Sequence, residues 1–124
     1  MEDYWNIPGF EDLCLEDSWI LVASRLPTAF ELTVEIVLKE SHPQFARPLP
    51  GEQYCYRKAT LTFGNLRALS WSHETATRTT DASGEGDLGS FDNFSFEKDV
   101  YYIDGDIGQI RLKSDVPRIA WLDS

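Results

Sequence analysis

The chain is poor in the residues that build metal and redox sites. Its 124 residues include two cysteines, Cys14 and Cys55, and two histidines, His42 and His73. A structural zinc site takes about four such ligands, and these side chains are scattered along the sequence. Two cysteines in a reducing compartment are most often plain buried thiols. The sequence therefore predicts no metal site and no cofactor.

Long apolar runs and basic residues are also scarce. No segment reaches the ~18 apolar residues that a membrane span needs, and the acidic N-terminus is unlike a secretory signal. The 21 acidic residues outnumber the 11 basic ones, which gives a net charge of −10. That sign argues against binding nucleic acid or anionic lipid, and it permits a cationic partner. We expect a cytoplasmic protein that binds neither nucleic acid nor membranes.

The clearest pattern that the sequence does contain is the alternation typical of β-strands. From Ala29 to Glu40, five apolar residues recur at every second position. This spacing places one face of a strand in a core and leaves the other largely in water. The short apolar run at residues 18–24 precedes it, with a break at residues 26–28. Together these segments predict a hairpin over residues 18–40.

Further short apolar segments, separated by turn signals, extend the β prediction. Strands are expected within residues 53–63, 66–72, 91–96, 100–103, 109–113 and 119–122. Asp104-Gly105 is a strong hairpin turn signal. The proline-rich residues 41–51 and the polar residues 74–90 are predicted to be loops, the second of them a mobile loop or two short edges around one.

Two local features are predicted in addition. A change of parity near Arg57 and Lys58 indicates a β-bulge or a strand that changes sheets. At most one short helical turn is predicted, within residues 8–16. At this length one core is enough, so residues 1–124 are predicted to form a single, mainly β domain. Its architecture is expected to be an antiparallel two-sheet sandwich or a partly open barrel of six to eight strands.

The acidic residues are unevenly distributed along the chain. Six lie in residues 1–20 with no basic residue among them, and eight lie in residues 81–106 beside the single base Lys98. If both stretches fold onto one side, the acidic face would raise the encounter rate with a basic partner. The alternative is that acidic loops keep a β protein soluble and discourage edge pairing. A protein partner is expected to bind through residues 81–106 and the acidic N-terminus. The candidate partner-binding residues are seven of the eight acids of the second stretch: Asp81, Glu85, Asp87, Asp92, Asp99, Asp104 and Asp106.

Other site chemistries have weaker signals. Residues 81–92 place oxygen ligands at a spacing similar to an EF-hand loop, but the flanks are typical of strands or loops and Asp92 replaces the usual bidentate Glu. A solvated turn is therefore favoured over a calcium site. No spacing singles out a pair of acids or a set of serine, histidine and aspartate. The chain is predicted not to be an enzyme.

Aromatic residues support an alternative function, a small-ligand or carbohydrate-binding β module. Tyr54, Tyr56, Trp71, Tyr101 and Tyr102 could line a sheet face and stack on a sugar. Because side chains alternate between the two faces of a strand, about half of them are expected in the core. A pocket lined by Tyr54, Tyr56 or Trp71 would favour this function, whereas a closed core containing all three would exclude it.

One part of the sequence resembles a known group of proteins. Residues 15–21 (LEDSWIL), followed by the alternating strand at 29–40, are similar to the opening of a group of small, mostly β bacterial proteins. Several members of that group are proposed to be immunity proteins of contact-dependent toxin systems. Glu16 stands where the group has a histidine, so no functional residue is carried over. The resemblance implies a cytoplasmic, non-enzymatic inhibitor that binds one toxin, and the acidic charge suits a basic one.

Overall fold

Two antiparallel sheets face each other across an apolar core. The computed structural model describes residues 1–48, 50–51, 54–72, 79–80 and 86–122. Its strands are β1 (Glu2–Asp3), β2 (Leu13–Arg25), β3 (Ala29–Leu38), β4 (Tyr56–Gly64), β5 (Ala68–Ser72), β6 (Thr79–Thr80), β7 (Gly86–Asp87), β8 (Phe91–Glu97), β9 (Val100–Gly105), β10 (Gly108–Lys113) and β11 (Arg118–Trp121). A single turn of 3₁₀ helix, Tyr4–Asn6, follows β1.

The strand order confirms the predicted two-sheet architecture. The first sheet has five strands in the order β1-β8-β9-β10-β5, and the second has four in the order β11-β4-β3-β2. A short ribbon pairs β6 with β7. Over the described residues, the two main sheets face each other and do not form a closed barrel. No helix in the described part of the chain is long and apolar enough to cross a membrane.

The alternation in β3 builds the centre of the second sheet. The even-numbered residues from Phe30 to Ile36 are fully buried, and the odd-numbered residues between them are half-buried. β4 places Phe63, Leu61 and Ala59 directly opposite these buried residues. The apolar faces of both strands therefore point into the same layer, as the period of two requires.

Phe63 joins the two halves of the core. Its ring lies 6.2 Å from that of Phe30 in its own sheet. It also lies 6.1 Å from Phe94 and 5.6 Å from Tyr101, which belong to the first sheet. Aromatic pairs at these separations add specific attraction to the area that they bury. The contacts hold the sheets in one relative position.

β2 contains a large bulge that two hydroxyl groups stabilise. Cys14 is opposite Val37 and Trp19 is opposite Glu35, so residues 15–18 face Ile36 alone. The Oγ of the fully buried Ser18 donates to the Cys14 carbonyl at 2.7 Å and accepts from the Val37 N–H at 2.9 Å. The side chain thus replaces the strand-to-strand hydrogen bonds that the bulge removes.

The Tyr4 hydroxyl completes the hydrogen bonding of the bulge from the other side. It accepts a hydrogen bond from the Leu15 N–H at 3.1 Å. It lies 3.1 Å from the Leu13 carbonyl and 3.0 Å from Oε2 of Glu16, either of which can accept its proton. Burial raises the pKa of Tyr4 far above its usual value, so the hydroxyl keeps its proton at neutral pH.

Two local predictions are wrong. Residues 13–16 of the predicted helical turn are part of β2, because Leu13 and Leu15 alternate inward as strand residues. No bulge occurs near Arg57 and Lys58, since the pairing of β3 with β4 continues without a shift from Gly64 to Tyr56. The two parities are the two faces of one regular strand: the apolar residues face the core, and Tyr56 lies on the outer face, where a tyrosine can keep its hydroxyl in water.

Removing the Ser18 hydroxyl should destabilise the fold. Ser18→Ala leaves the buried Val37 N–H without its acceptor, and we expect the free energy of unfolding to fall by about 1–3 kcal/mol. Urea denaturation followed by tryptophan fluorescence measures this change. Ser70→Ala is the matched control, because Ser70 is exposed on β5 and should change stability by less than ~0.5 kcal/mol. Equal losses in the two variants would show that the bulge does not depend on Ser18.

Candidate functional site

Two acidic grooves meet at Asp92. The first, called the N-terminal groove, has a volume of about 210 Å³ and is lined by Asp3, Tyr4, Trp5, Leu15, Glu16, Phe91, Asp92, Asn93 and Phe94. The second, called the hairpin groove, has a volume of about 570 Å³ and is lined by Asp92, Asp104, Gly105, Asp106, Gly108 and Gln109. Over the described residues, neither lining includes a lysine or an arginine.

A bulge in β8 places Asp92 between the two grooves. Phe91 is opposite Gly105 and Asn93 is opposite Asp104, so Asp92 is an extra residue in the pairing. Phe91 before the bulge and Phe94 after it both pack in the core, whereas Asp92 is exposed. Bulges commonly redirect one side chain in this way. Among the described residues, Asp92 forms no ion pair or side-chain hydrogen bond.

The N-terminal groove brings together acids that are far apart in the sequence. Asp3 precedes the 3₁₀ turn, Glu16 lies in the bulge of β2, and Asp92 lies in β8. Trp5 is 44% exposed at the same groove, and its ring meets that of Tyr4 edge-on at 5.2 Å. The groove therefore combines negative charge with an exposed indole.

Asp104 is partly neutralised in the hairpin groove. Its Oδ1 pairs with Nη1 of Arg111 at 2.6 Å. The Arg111 guanidinium also lies 5.1 Å above the ring of Tyr102. Both contacts lie on the outer face of the first sheet, because Arg111 is paired with Tyr102 across β10 and β9. The negative charge available at this groove is thus smaller than its count of acids suggests.

Asp106 has a structural role at the edge of the same groove. Its Oδ2 accepts a hydrogen bond from the Ser90 N–H at 3.0 Å. Gly89, with a φ of +95°, lies against the Asp106 side chain in a position where a Cβ would overlap it. The Gly89 carbonyl in turn accepts a hydrogen bond from the Ile20 N–H at 2.8 Å, which joins this segment to β2. Asp106 therefore holds in place the segment at residues 89–90, which is hydrogen-bonded to β2.

Of the four remaining predicted site residues, the structure describes the side chain of Asp99, which lies away from both grooves. Asp99 precedes β9 at the end opposite Asp104, about 17 Å away at the rise of a strand, and it pairs with Arg67 at 3.1 Å. Asp81 and Glu85 lie outside the described residues. The backbone of Asp87 belongs to β7. Of the seven predicted residues, the structure brings together Asp92, Asp104 and Asp106.

Sequence reasoning included the acidic N-terminus in the expected binding surface, but it did not single out three residues of the N-terminal groove as site residues. Asp3 and Glu16 belong to the stretch without basic residues at 1–20, so the charge distribution was the signal that could have identified them. Trp5 carried no such signal, because tryptophan side chains are highly buried on average and the sequence does not distinguish an exposed one. The juxtaposition itself follows from strand pairing, since β1 pairs with β8.

The aromatic residues of the alternative function lie on different surfaces. Trp71 packs edge-on against Phe30 at 5.6 Å and donates its indole N–H to the Ile107 carbonyl at 2.9 Å. Tyr54 and Tyr56 contact each other at 6.1 Å beside the other sheet. A sugar could therefore not stack on all three together.

Metal and catalytic chemistry find little geometric support. Within the described ranges, no three histidine, cysteine, aspartate or glutamate side chains could together hold a metal ion. Residues 81–85 of the candidate calcium loop, like His73, lie outside those ranges. His42 accepts a hydrogen bond from the Gln44 N–H at 3.0 Å and meets Trp121 edge-on at 5.2 Å. Burial lowers the pKa of His42, so it is a packed neutral ring.

Both cysteines are free thiols, and Cys14 lies next to the acidic bulge. Its Sγ is 3.2 Å from Oδ2 of Asp17 and 3.5 Å from Oε2 of Glu16. Burial, together with the hydrogen bond to Asp17, raises the pKa of Cys14 to about 11. Because the thiolate is the nucleophile, this environment makes the thiol unreactive at neutral pH.

No protein-family model, curated protein or solved structure matches this chain. The geometry of the site offers carboxylates that can pair with lysine or arginine. It also offers an indole face, which attracts a cation. These groups can bind a basic surface.

The pH profile of Cys14 alkylation should reveal its raised pKa. In a Cys55→Ala background, we expect the rate with iodoacetamide to rise about tenfold per pH unit up to pH ~10 without a plateau. Asp17→Asn, which removes the neighbouring negative charge, should shift the curve to lower pH. Cys14→Ser controls for reaction at other groups. A plateau near pH 9 in the Cys55→Ala protein would contradict the assignment.

Proposed function

We propose that this protein is a non-enzymatic interaction protein that binds a basic protein partner through the N-terminal groove and the hairpin groove. The observation that carries the proposal is the convergence of Asp3, Glu16 and Asp92 beside the exposed Trp5. These acids come from three separate segments, so their shared position is a property of the fold and not of local sequence.

The two kinds of group would contribute to binding in different ways. Acidic side chains attract a basic partner over a distance and orient it, which raises the association rate. Charge at a solvent-exposed surface adds little affinity by itself. Trp5 supplies the large apolar contact that typically carries binding energy at interfaces, and it can also stack on an arginine or a lysine.

The proposed partner class is a basic toxin, and the proposed role is that of a cytoplasmic immunity-type inhibitor. This part of the proposal draws on the resemblance of residues 15–21 and 29–40 to the immunity-protein-like group. The net charge of −10 suits such a partner. A carbohydrate-binding module is less well supported, because Trp71 faces the core and is separated from Tyr54 and Tyr56.

Neutralising the N-terminal groove should weaken binding of a basic probe more than neutralising other acids does. The probe is a fluorescein-labelled nona-arginine peptide, measured by fluorescence anisotropy at low and high salt. We expect Asp3→Asn combined with Asp92→Asn to weaken binding about fivefold, equivalent to roughly 1 kcal/mol, and to reduce the salt dependence. Trp5→Ala should weaken binding while leaving the salt dependence unchanged.

The matched control changes the same number of charges elsewhere. Glu40 and Glu97 are exposed, and Glu97 ends β8 at the end opposite Asp92. Glu40→Gln combined with Glu97→Gln should alter binding less than about twofold, because screening limits distant charges. If both double variants lose affinity equally, net charge alone explains binding and the proposed site is wrong.

A further inference from the structure

A third groove, here called the distal groove, lies at the end of the first sheet opposite the hairpin groove. It has a volume of about 780 Å³. Three connections form it: the turn at residues 64–67, the turn between β8 and β9, and residues 114–117 after β10. The strands β9 and β10 separate it from the hairpin groove by about 17 Å. The distal groove is therefore independent of the surface assigned to the protein partner.

The charges of the distal groove have a basic excess. Its lining includes three basic residues, Arg67, Lys98 and Arg118, and two acidic residues, Asp99 and Asp115. Arg67 bridges the two acids, with Nη2 3.1 Å from Asp99 and Nη1 3.1 Å from Asp115. Among the described residues, Lys98 and Arg118 form no ion pair within 4.0 Å. Two cationic side chains thus remain available in a protein of strongly negative charge.

The two acids are held in their charged form by their neighbours. Hydrogen bonds donated by Asn65, at 2.6 Å, and by Arg67 lower the pKa of Asp115. Arg67 also donates to Asp99, whose pKa is lowered despite some desolvation. A ligand that carries two negative charges would therefore meet two fixed carboxylates. A ligand with one negative charge matches the net charge of the groove lining better.

The Tyr101 hydroxyl is a second feature of the distal groove, independent of its charged residues, that points to a ligand. The residue is 2% exposed, and its ring packs against Phe63 and Phe96 in the core. It nevertheless lines the distal groove. Within the described part of the chain, its hydroxyl has no hydrogen-bond partner, although no fully buried polar atom is left unsatisfied. The oxygen is therefore not fully buried.

The position of the Tyr101 hydroxyl agrees with its electrostatic surroundings. Burial raises the pKa of Tyr101, and the charges of Asp99 and Asp115 raise it further. Both acids line the same groove as Tyr101. Buried tyrosine hydroxyls normally have a hydrogen-bond partner. Since the Tyr101 hydroxyl has none among the described residues, a ligand in the groove can supply one.

We propose that the distal groove binds a small organic monocarboxylate. Its carboxylate pairs with Lys98 and Arg118, and a polar atom hydrogen-bonds to the Tyr101 hydroxyl. The apolar part of the ligand packs on Val116, which is 53% exposed, and on the adjacent Pro117. This site is distinct from the proposed protein-binding surface and does not depend on it.

Benzoate and its uncharged isostere benzamide test the proposal on the full chain. We expect benzoate to shift the amide NMR signals of residues 98–101 and 114–118 in a saturable way, with a Kd on the order of 1 mM. Benzamide should bind at least about tenfold more weakly, since it lacks the charge. Inorganic phosphate should also bind more weakly than benzoate. Absence of saturable shifts up to 50 mM benzoate (on the order of 50 Kd), equal binding of benzamide, or tighter binding of phosphate would overturn the proposal.

Tyr101→Phe separates a ligand-binding hydroxyl from a merely structural ring. Because the hydroxyl has no partner in the described protein, the melting temperature should change by less than ~2 °C. Benzoate binding should nevertheless weaken at least about fivefold, as expected for a lost hydrogen bond to a ligand. Tyr102→Phe, on the outer face of the same strand, is the matched control and should bind benzoate normally. Unchanged binding or a large loss of stability in Tyr101→Phe would overturn the assigned role.

Discussion

The hydrogen bonds of the Tyr4 hydroxyl to the backbone of β2 determine where the acidic N-terminus lies. They hold the 3₁₀ turn against the bulge, so that Asp3 and Trp5 lie beside Glu16. Because burial keeps this hydroxyl protonated, it can donate a hydrogen bond as well as accept one. The hydroxyl acts together with the pairing of β1 with β8 and with the buried rings of Tyr4 and Phe10, which pack against Phe94. The proposed binding surface thus depends in part on one buried hydroxyl group.

The sandwich separates its charges along the strand direction. At one end, the bulge of β8 exposes Asp92 next to the two acidic grooves. At the other end, Arg67 bridges Asp99 and Asp115 and leaves Lys98 and Arg118 available. The core between these ends is continuous, because alternate residues of every central strand face inward. Two surfaces of different charge can therefore coexist on a small protein without sharing side chains.

The fold could be predicted from the sequence wherever the pattern was local. The alternation of residues 29–40 identified β3, and the sheet architecture followed from short strands and turn signals. The bulges could not be predicted, because the extra residues of β2 and Asp92 are defined only by the strand opposite. The same limit applied to the site. The uneven charge was visible, whereas the pairing of Asp99 with Arg67 joins residues 32 positions apart.

The pairing of β1 with β8 has a consequence for the order of folding. Glu2 is opposite Phe96, so the first strand pairs with a segment that is synthesised 94 residues later. The N-terminal groove cannot form on a nascent chain until β8 has emerged from the ribosome. Closing so long a loop also costs entropy that only the completed core can offset. The N-terminal groove therefore forms late in folding, after β8 is available to pair with β1.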